Sequence, residues 1–261
     1  MLIPTSAAAV PVLLTLAGIV AGFVDSIAGG GGLITLPALS LALGAGVDAI
    51  GSNKVCGVAA AAVALAVYVR RGHMDWRNSL VFALAVGLGG FFGSRLAPLI
   101  PAWIFPWLLA VTCPVILYVV WNKDLWVARE ATLSGEGARP LLDPAVVLTG
   151  LAAGIYDGAW GPGSGTFMLL ALLFVARLPL LPSLAAAKLA NLASGATAFV
   201  SYAASGHIHY REGGFVALGT LAGGWAGAHL ATTRAARIVR PVLVVVVTLL
   251  LVKLLADALG S

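Results

Sequence analysis

No lysine or arginine precedes Lys54, and residues 7–24 form an uncharged apolar run that stops at Asp25 and a block of four glycines, Gly29, Gly30, Gly31 and Gly32. A run of that length, about 18–20 residues without charge, is long enough to cross the hydrocarbon core of a bilayer. The same texture continues through the chain, which is 61% hydrophobic and only 10% charged, with a mean hydropathy of +1.03. An ordinary soluble domain carries about 25% charged residues, and even a well-buried globule must present charge to water. A soluble enzyme, a nucleic-acid module and a disordered chain are therefore excluded. What remains is an all-α integral membrane protein, and at roughly 20 residues per helix the length allows about 8–10 transmembrane helices.

The net charge of +5 is read as a topology signal, because Lys and Arg outside the spans mark cytoplasmic loops. The basic n-region of a signal peptide is missing, so the first apolar stretch is expected to stay as a helix with its N-terminus outside. Cys56 and Cys113 both sit in apolar runs and read as buried small hydrophobes, with neither metal spacing nor a disulfide framework.

Residues 33–47 are apolar but short for a span, and beside a glycine break they suggest a discontinuous or re-entrant helix. Further spans are expected at 49–69, 78–97 and 102–121, the last with Pro106 and Pro114 as kink points. Residues 122–143 form the long polar connection and divide the chain into halves, 1–121 and 144–261, each with about five membrane elements. The second half replays the first. Residues 150–157 match 18–25, both ending in Asp, and Gly161, Pro162, Gly163, Ser164 and Gly165 supply the second break. After a two-residue slip, residues 54–97 align without gaps on 188–231, with 15 identities in 44 pairs. The informative pairs include Lys54/Lys188, Tyr68/Tyr202, Gly72/Gly206, His73/His207, Arg77/Arg211 and Gly93/Gly227.

An odd number of elements per half inverts the second half relative to the first. With the N-terminus outside, Arg70, Arg71, Arg77, Lys123, Arg129, Arg139, Arg177, Arg234, Arg237 and Arg240 fall on the cytoplasmic side, leaving Arg211 opposite. Two inverted homologous halves with glycine-broken or re-entrant segments are the expected architecture.

Asp25 and Lys54, with their counterparts Asp157 and Lys188, are the residues most able to carry chemistry. An ionised group inside a span costs about 2.5 kcal/mol or more and normally lines a polar path. The bland alternatives are that each Asp caps a broken helix and that each Lys snorkels to a headgroup. The glycine breaks, with Gly29, Gly30 and Gly31 in one half and Gly161, Gly163 and Ser164 in the other, expose backbone N–H groups and helix N-termini that attract anions. Gly89, Gly90, Gly93, Gly223, Gly224 and Gly227 instead have the small-residue spacing of a helix contact face. Asn53 and Asn191 lie close to the lysines and can supply amide donors, although they are not repeat mates. His73 and His207 sit in loops beside Trp76 and Tyr210, an interfacial aromatic pair.

Enzyme motifs fail. No phosphate-loop pattern leads into Lys54, and the glycines around Ser164 lack the spacing of a nucleophile elbow. A hydrolase pairing Ser164 with His207 is the weak enzymatic alternative.

The segment from Gly22 through Asp25 and the four glycines to Pro37, followed by Ser52-Asn53-Lys54 and Gly72-His73, resembles the TauE/SafE-type sulfite exporter family, and the match runs over essentially the whole chain. The resemblance implies a bacterial inner-membrane permease that moves sulfite, organosulfonates or related oxyanions, commonly outward, with no cofactor. It places the family's glycine-rich Asp segment on Asp25 to Gly32 and its Asn-Lys pair on Asn53 and Lys54. Ala187 stands where the second half would repeat the asparagine. The expected mechanism is alternating access to an anion site between the halves, with Lys54 and Lys188 supplying positive charge and Asp25 and Asp157 as proton carriers. Export of a dianion down 100 mV yields about 4.6 kcal/mol, so no ATP is required. A channel-like pathway and a non-transporting membrane subunit are the alternatives, and a homodimer is left open.

Overall fold

The long uncharged runs form helices because a backbone in hydrocarbon must satisfy every N–H and C=O within its own segment. The computed structural model describes residues 9–44, 46–101, 104 and 142–259. Helix α1 spans Ala9–Ala28, α2 Gly32–Leu43, α3 Val47–Arg70 and α4 Trp76–Leu96, the last running into a 3-10 turn at Ala97–Leu99. Helix α5 spans Pro144–Ala159 and α6 Ser164–Leu170, which continues as a π-helical turn over Ala171–Val175. Helix α7 spans Leu180–Ala204 and α8 Tyr210–Leu259, bent at Arg234 where φ is −138° and ψ is 25°. No strand occurs among the described residues. The expected span 102–121 and the connector 122–143 lie outside the described residues, apart from Ile104, Leu142 and Asp143.

Among the described residues, three helical stretches, Ala9–Ala28, Val47–Arg70 and Ser79–Leu99, are long and apolar enough to cross a membrane. At 1.5 Å per residue the 20-residue α1 is about 30 Å long, the thickness of the hydrocarbon core. Gly32–Leu43, Pro144–Ala159 and Ser164–Val175 are apolar but shorter. Leu84, Leu148, Val200 and Leu218 are exposed on the outer faces, as lipid-facing side chains are. The chain is an all-α membrane protein.

The main packing joins elements from different halves of the sequence. α1 lies along α8, α4 against α5 and α7, and α3 against both α7 and α8. Glycines make these approaches possible. A Cβ on Gly93 would collide with the Ile155 carbonyl of α5, and one on Gly223 with the Ile19 carbonyl of α1. Small residues let helix backbones meet this closely in lipid, where hydrophobic burial does little to hold helices together.

The matched tyrosines and glycine–histidine pairs build matched structure. Tyr68 donates its hydroxyl to the Ser26 carbonyl at 2.8 Å, and Tyr202 donates to the Gly158 carbonyl at 2.9 Å. Each therefore ties a long helix to the helix before the break in its own half. Gly72 and Gly206 adopt φ of 73° and 77°. In each turn the following histidine N–H donates to the tyrosine carbonyl at 3.0 Å, closing a Schellman helix end. The Gly-His motif is thus a helix stop. His207 is also held at 2.7 Å by Asp48 at the start of α3, with His209 at 3.5 Å on the other carboxylate oxygen.

Candidate functional site

Two glycine breaks meet back to back at the centre. Gly29 has a φ of 79°, Gly161 103° and Gly163 79°, values that L side chains rarely adopt. A Cβ on Gly29 would run into the backbone of Gly165, and one on Gly165 would sit 2.8 Å from the Gly29 Cα. The Thr166 hydroxyl closes the seam by donating to the Ala28 carbonyl at 2.9 Å.

The lysines cross over this seam. Lys54 of α3 places Nζ 3.4 Å from Oδ1 of Asp157 in α5, and Lys188 of α7 places Nζ 2.7 Å from Oδ2 of Asp25 in α1. Each ammonium also donates to the main-chain carbonyl of the same aspartate. Those carbonyls lie in the last turns of α1 and α5, so each lysine places its charge at the negative end of a helix. Both lysines are buried, and neither snorkels outward. Burial of charge at this depth is tolerated because every member is paired and hydrogen-bonded. The aspartates accept further bonds. The Gly31 N–H at the start of α2 donates to Asp25 Oδ1 at 3.2 Å, whereas Asp157 accepts the Ser164 and Ser194 hydroxyls, both at 2.6 Å. Asp25 thus reaches the N-terminus of the helix that follows its break, while also carrying an ion pair.

A cavity of about 60 Å³ opens beside these pairs. Asp25, Gly29, Gly31, Asn53, Lys54, Asp157, Gly161, Ser164 and Asn191 border it, while Gly30, Gly163 and Lys188 do not. Asn53 is oriented by its neighbours. Its Oδ1 accepts the Thr35 hydroxyl at 2.5 Å and lies 3.5 Å from the Cys56 sulfur, leaving the amide N–H2 as the free end. The amide N–H2 groups of Asn53 and Asn191 have no protein acceptor among the described residues. Of the break N–H groups, Gly29 donates to the Asp25 carbonyl, Gly31 to the Asp25 carboxylate and Gly161 to the Tyr156 carbonyl. The spare donors beside the cavity are therefore mainly side-chain groups.

Thr35, Cys56, Gly57, Ser194 and Thr220 belong to the site or its support and were not singled out by motif. Cys56 is buried, as its apolar surroundings suggest, yet it also borders the cavity; Cys113 lies outside the described residues. Ser194 stands opposite Ala60 in the repeat, so a search for identities between the halves passes over it. The signal that finds it is a difference between repeats next to a shared charge. No histidine borders the cavity, His207 is bound to Asp48, and the Ser164 hydroxyl is engaged by Asp157. These contacts leave the pairing of Ser164 with His207 without a geometric basis.

A family model described as sulfite exporter TauE/SafE matches residues 14–254. A probable membrane transporter protein, ORF9, from Sinorhizobium sp is 32% identical over 246 residues, covering 94% of this chain and 92% of that protein. A probable membrane transporter protein of Haemophilus influenzae is 30% identical over 94% of each chain. The probable membrane transporter protein YfcA of Escherichia coli K12 is 27% identical over 95% of this chain and 91% of its own length. No solved structure matches the chain.

Proposed function

We propose a mechanism for a chain that belongs to the sulfite exporter TauE/SafE family and is a membrane transporter: it carries a small sulfur-containing oxyanion, sulfite or a compact sulfonate, through the central cavity. The observation that carries this reading is two amide donors without a protein acceptor, those of Asn53 and Asn191, beside a cavity-lining ammonium that is held by the Asp157 carbonyl. Lys54, Asn53 and Asn191 all border a cavity whose two carboxylates already hold their own donors. Such a site attracts an anion, because the carboxylates are occupied, the amide N–H groups are not, and the Lys54 ammonium adds positive charge at the wall. Size favours a compact cargo. At about 10–15 Å³ per water-sized space, 60 Å³ holds about four to six such units, room for one sulfur and three oxygens.

The four charges of Asp25, Lys188, Lys54 and Asp157 cancel, so an arriving dianion brings uncompensated charge. Proton loading of Asp25 or Asp157 offsets it and makes transport proton-coupled. If the aspartates stay ionised, the protein works as a uniporter driven outward by the membrane potential. The inverted halves would rock about the seam, exposing the site alternately to each side of a bacterial inner membrane, with the N-terminus outside.

Labelled-sulfite flux in proteoliposomes tests the reading. A saturable rate that falls in both Lys54→Ala and Lys188→Ala is expected. A purified, folded protein that moves neither sulfite nor a short sulfonate would overturn it, and an unsaturable, ohmic flux would favour a channel. External pH separates coupling from uniport: a pH-independent rate with Asp157→Asn fully active removes the coupled form.

A further inference from the structure

Counting from each shared charge exposes an asymmetry that the repeat hides. Seven residues after Asp157 stands Ser164, and six after Lys188 stands Ser194. The equivalent positions, seven after Asp25 and six after Lys54, hold Gly32 and Ala60. The two serines converge on one carboxylate, each at 2.6 Å on a different oxygen. Asp25 has no such pair, and its carboxylate accepts one backbone N–H at 3.2 Å and otherwise depends on Lys188. The ion pairs differ accordingly. Lys188 sits 2.7 Å from its carboxylate and does not border the cavity. Lys54 stands off at 3.4 Å, borders the cavity, and faces Gly161, where an added Cβ would come 3.1 Å from Nζ.

Resting on the anion-transport reading above, we propose that Lys54 alone is the anion-binding cation and that Ser164 and Ser194 are positioning residues that release it, while Lys188 is a fixed clamp on Asp25. A carboxylate that accepts two short hydroxyl bonds has less need of an ammonium, because hydrogen bonds to its charged form take over part of the stabilisation. The Lys54 ammonium, still donating to the Asp157 main-chain carbonyl, then keeps its remaining N–H groups for a guest. Lys188 has no equivalent freedom, because withdrawing it leaves Asp25 with a single backbone donor. The two lysines are the same residue at matched places, and their neighbours give them different tasks.

The test is sulfite flux in proteoliposomes, with KM and Vmax resolved for each variant. Lys54→Gln is expected to raise KM about tenfold or more, the scale of a lost charged hydrogen bond. The double variant Ser164→Ala, Ser194→Ala returns Lys54 to Asp157 and raises KM about five- to tenfold, with Vmax held within about twofold. The neutral pair Lys188→Gln, Asp25→Asn lowers Vmax and leaves KM within about twofold, because it alters the clamp and not the guest's partner. Equal KM effects from Lys54→Gln and the neutral pair overturn the proposal, as does an unchanged KM in the serine double variant. If the double variant does not fold, each serine variant alone gives the same readout at smaller amplitude. Wild-type protein without sulfite flux would sink the transport reading itself, whereas wild-type flux with equivalent lysines would sink only this inference.

Discussion

The ammonium of Lys188 lies 2.7 Å from Oδ2 of Asp25, a residue 163 positions earlier in the chain. The bond joins α7, beyond the second break, to α1, before the first, with Lys188 buried and Asp25 partly so. Removing one partner strands the other charge. Lys188→Ala is expected to destabilise the protein by about 3–5 kcal/mol, and adding Asp25→Asn should recover part of that loss. Thermal unfolding in detergent, arranged as a double-mutant cycle, measures the coupling. Additive losses would mean that the pair contributes nothing as a pair.

Thr35→Val removes the hydroxyl that holds Asn53 Oδ1. The amide is then free to turn its oxygen toward the cavity and repel an anion. A loss of about 1 kcal/mol, roughly fivefold in KM, is expected with little change in melting temperature. Flux kinetics beside a melting curve check this, and an unchanged KM would show that the amide orientation does not matter.

Gly57 borders the cavity, and a Cβ there would meet nothing within 4 Å. Gly57→Leu is therefore expected to fill the cavity without disturbing the helix, since leucine is the better helix former by roughly 0.5–1 kcal/mol. Flux should fall at least tenfold while stability holds or rises. Full flux in a folded Gly57→Leu protein would place the transport path elsewhere.

Gly223→Leu tests the close approach of α8 to α1. A side chain at that position collides with the Ile19 carbonyl, and the nearest relief is a shift of the whole helix. Overpacking of this kind costs about 1–3 kcal/mol or more, so the yield of folded protein should drop sharply. Gly214→Ala on the same helix meets nothing within 4 Å and serves as the control. Equal yields of the two variants would contradict the packing described.

Much of this was legible in the residues themselves. The expected helices 49–69 and 78–97 lie within a few residues of Val47–Arg70 and Trp76–Leu96, because apolar length and flanking arginines mark a span directly. The breaks were legible because clustered glycines beside an aspartate have few other uses in hydrocarbon. The partners of the charges were not. Sequence proximity groups Asp25 with Lys54, whereas the fold pairs Asp25 with Lys188 and Lys54 with Asp157. Crossing of that kind depends on how α1, α3, α5 and α7 are arranged in space, which no local pattern encodes. Ser194 and Thr35 were hidden for a related reason. A hydroxyl in an apolar helix commonly bonds its own backbone, and only the tertiary fold decides whether a carboxylate or an amide comes within reach.

Gly29 and Gly165 touch backbone to backbone, with no side chain between them to act as a cushion. Movement in either break is handed straight to the other, so the pair forms one joint in place of two. A single added methyl group there would work as a wedge, and both breaks would have to give way to it at once.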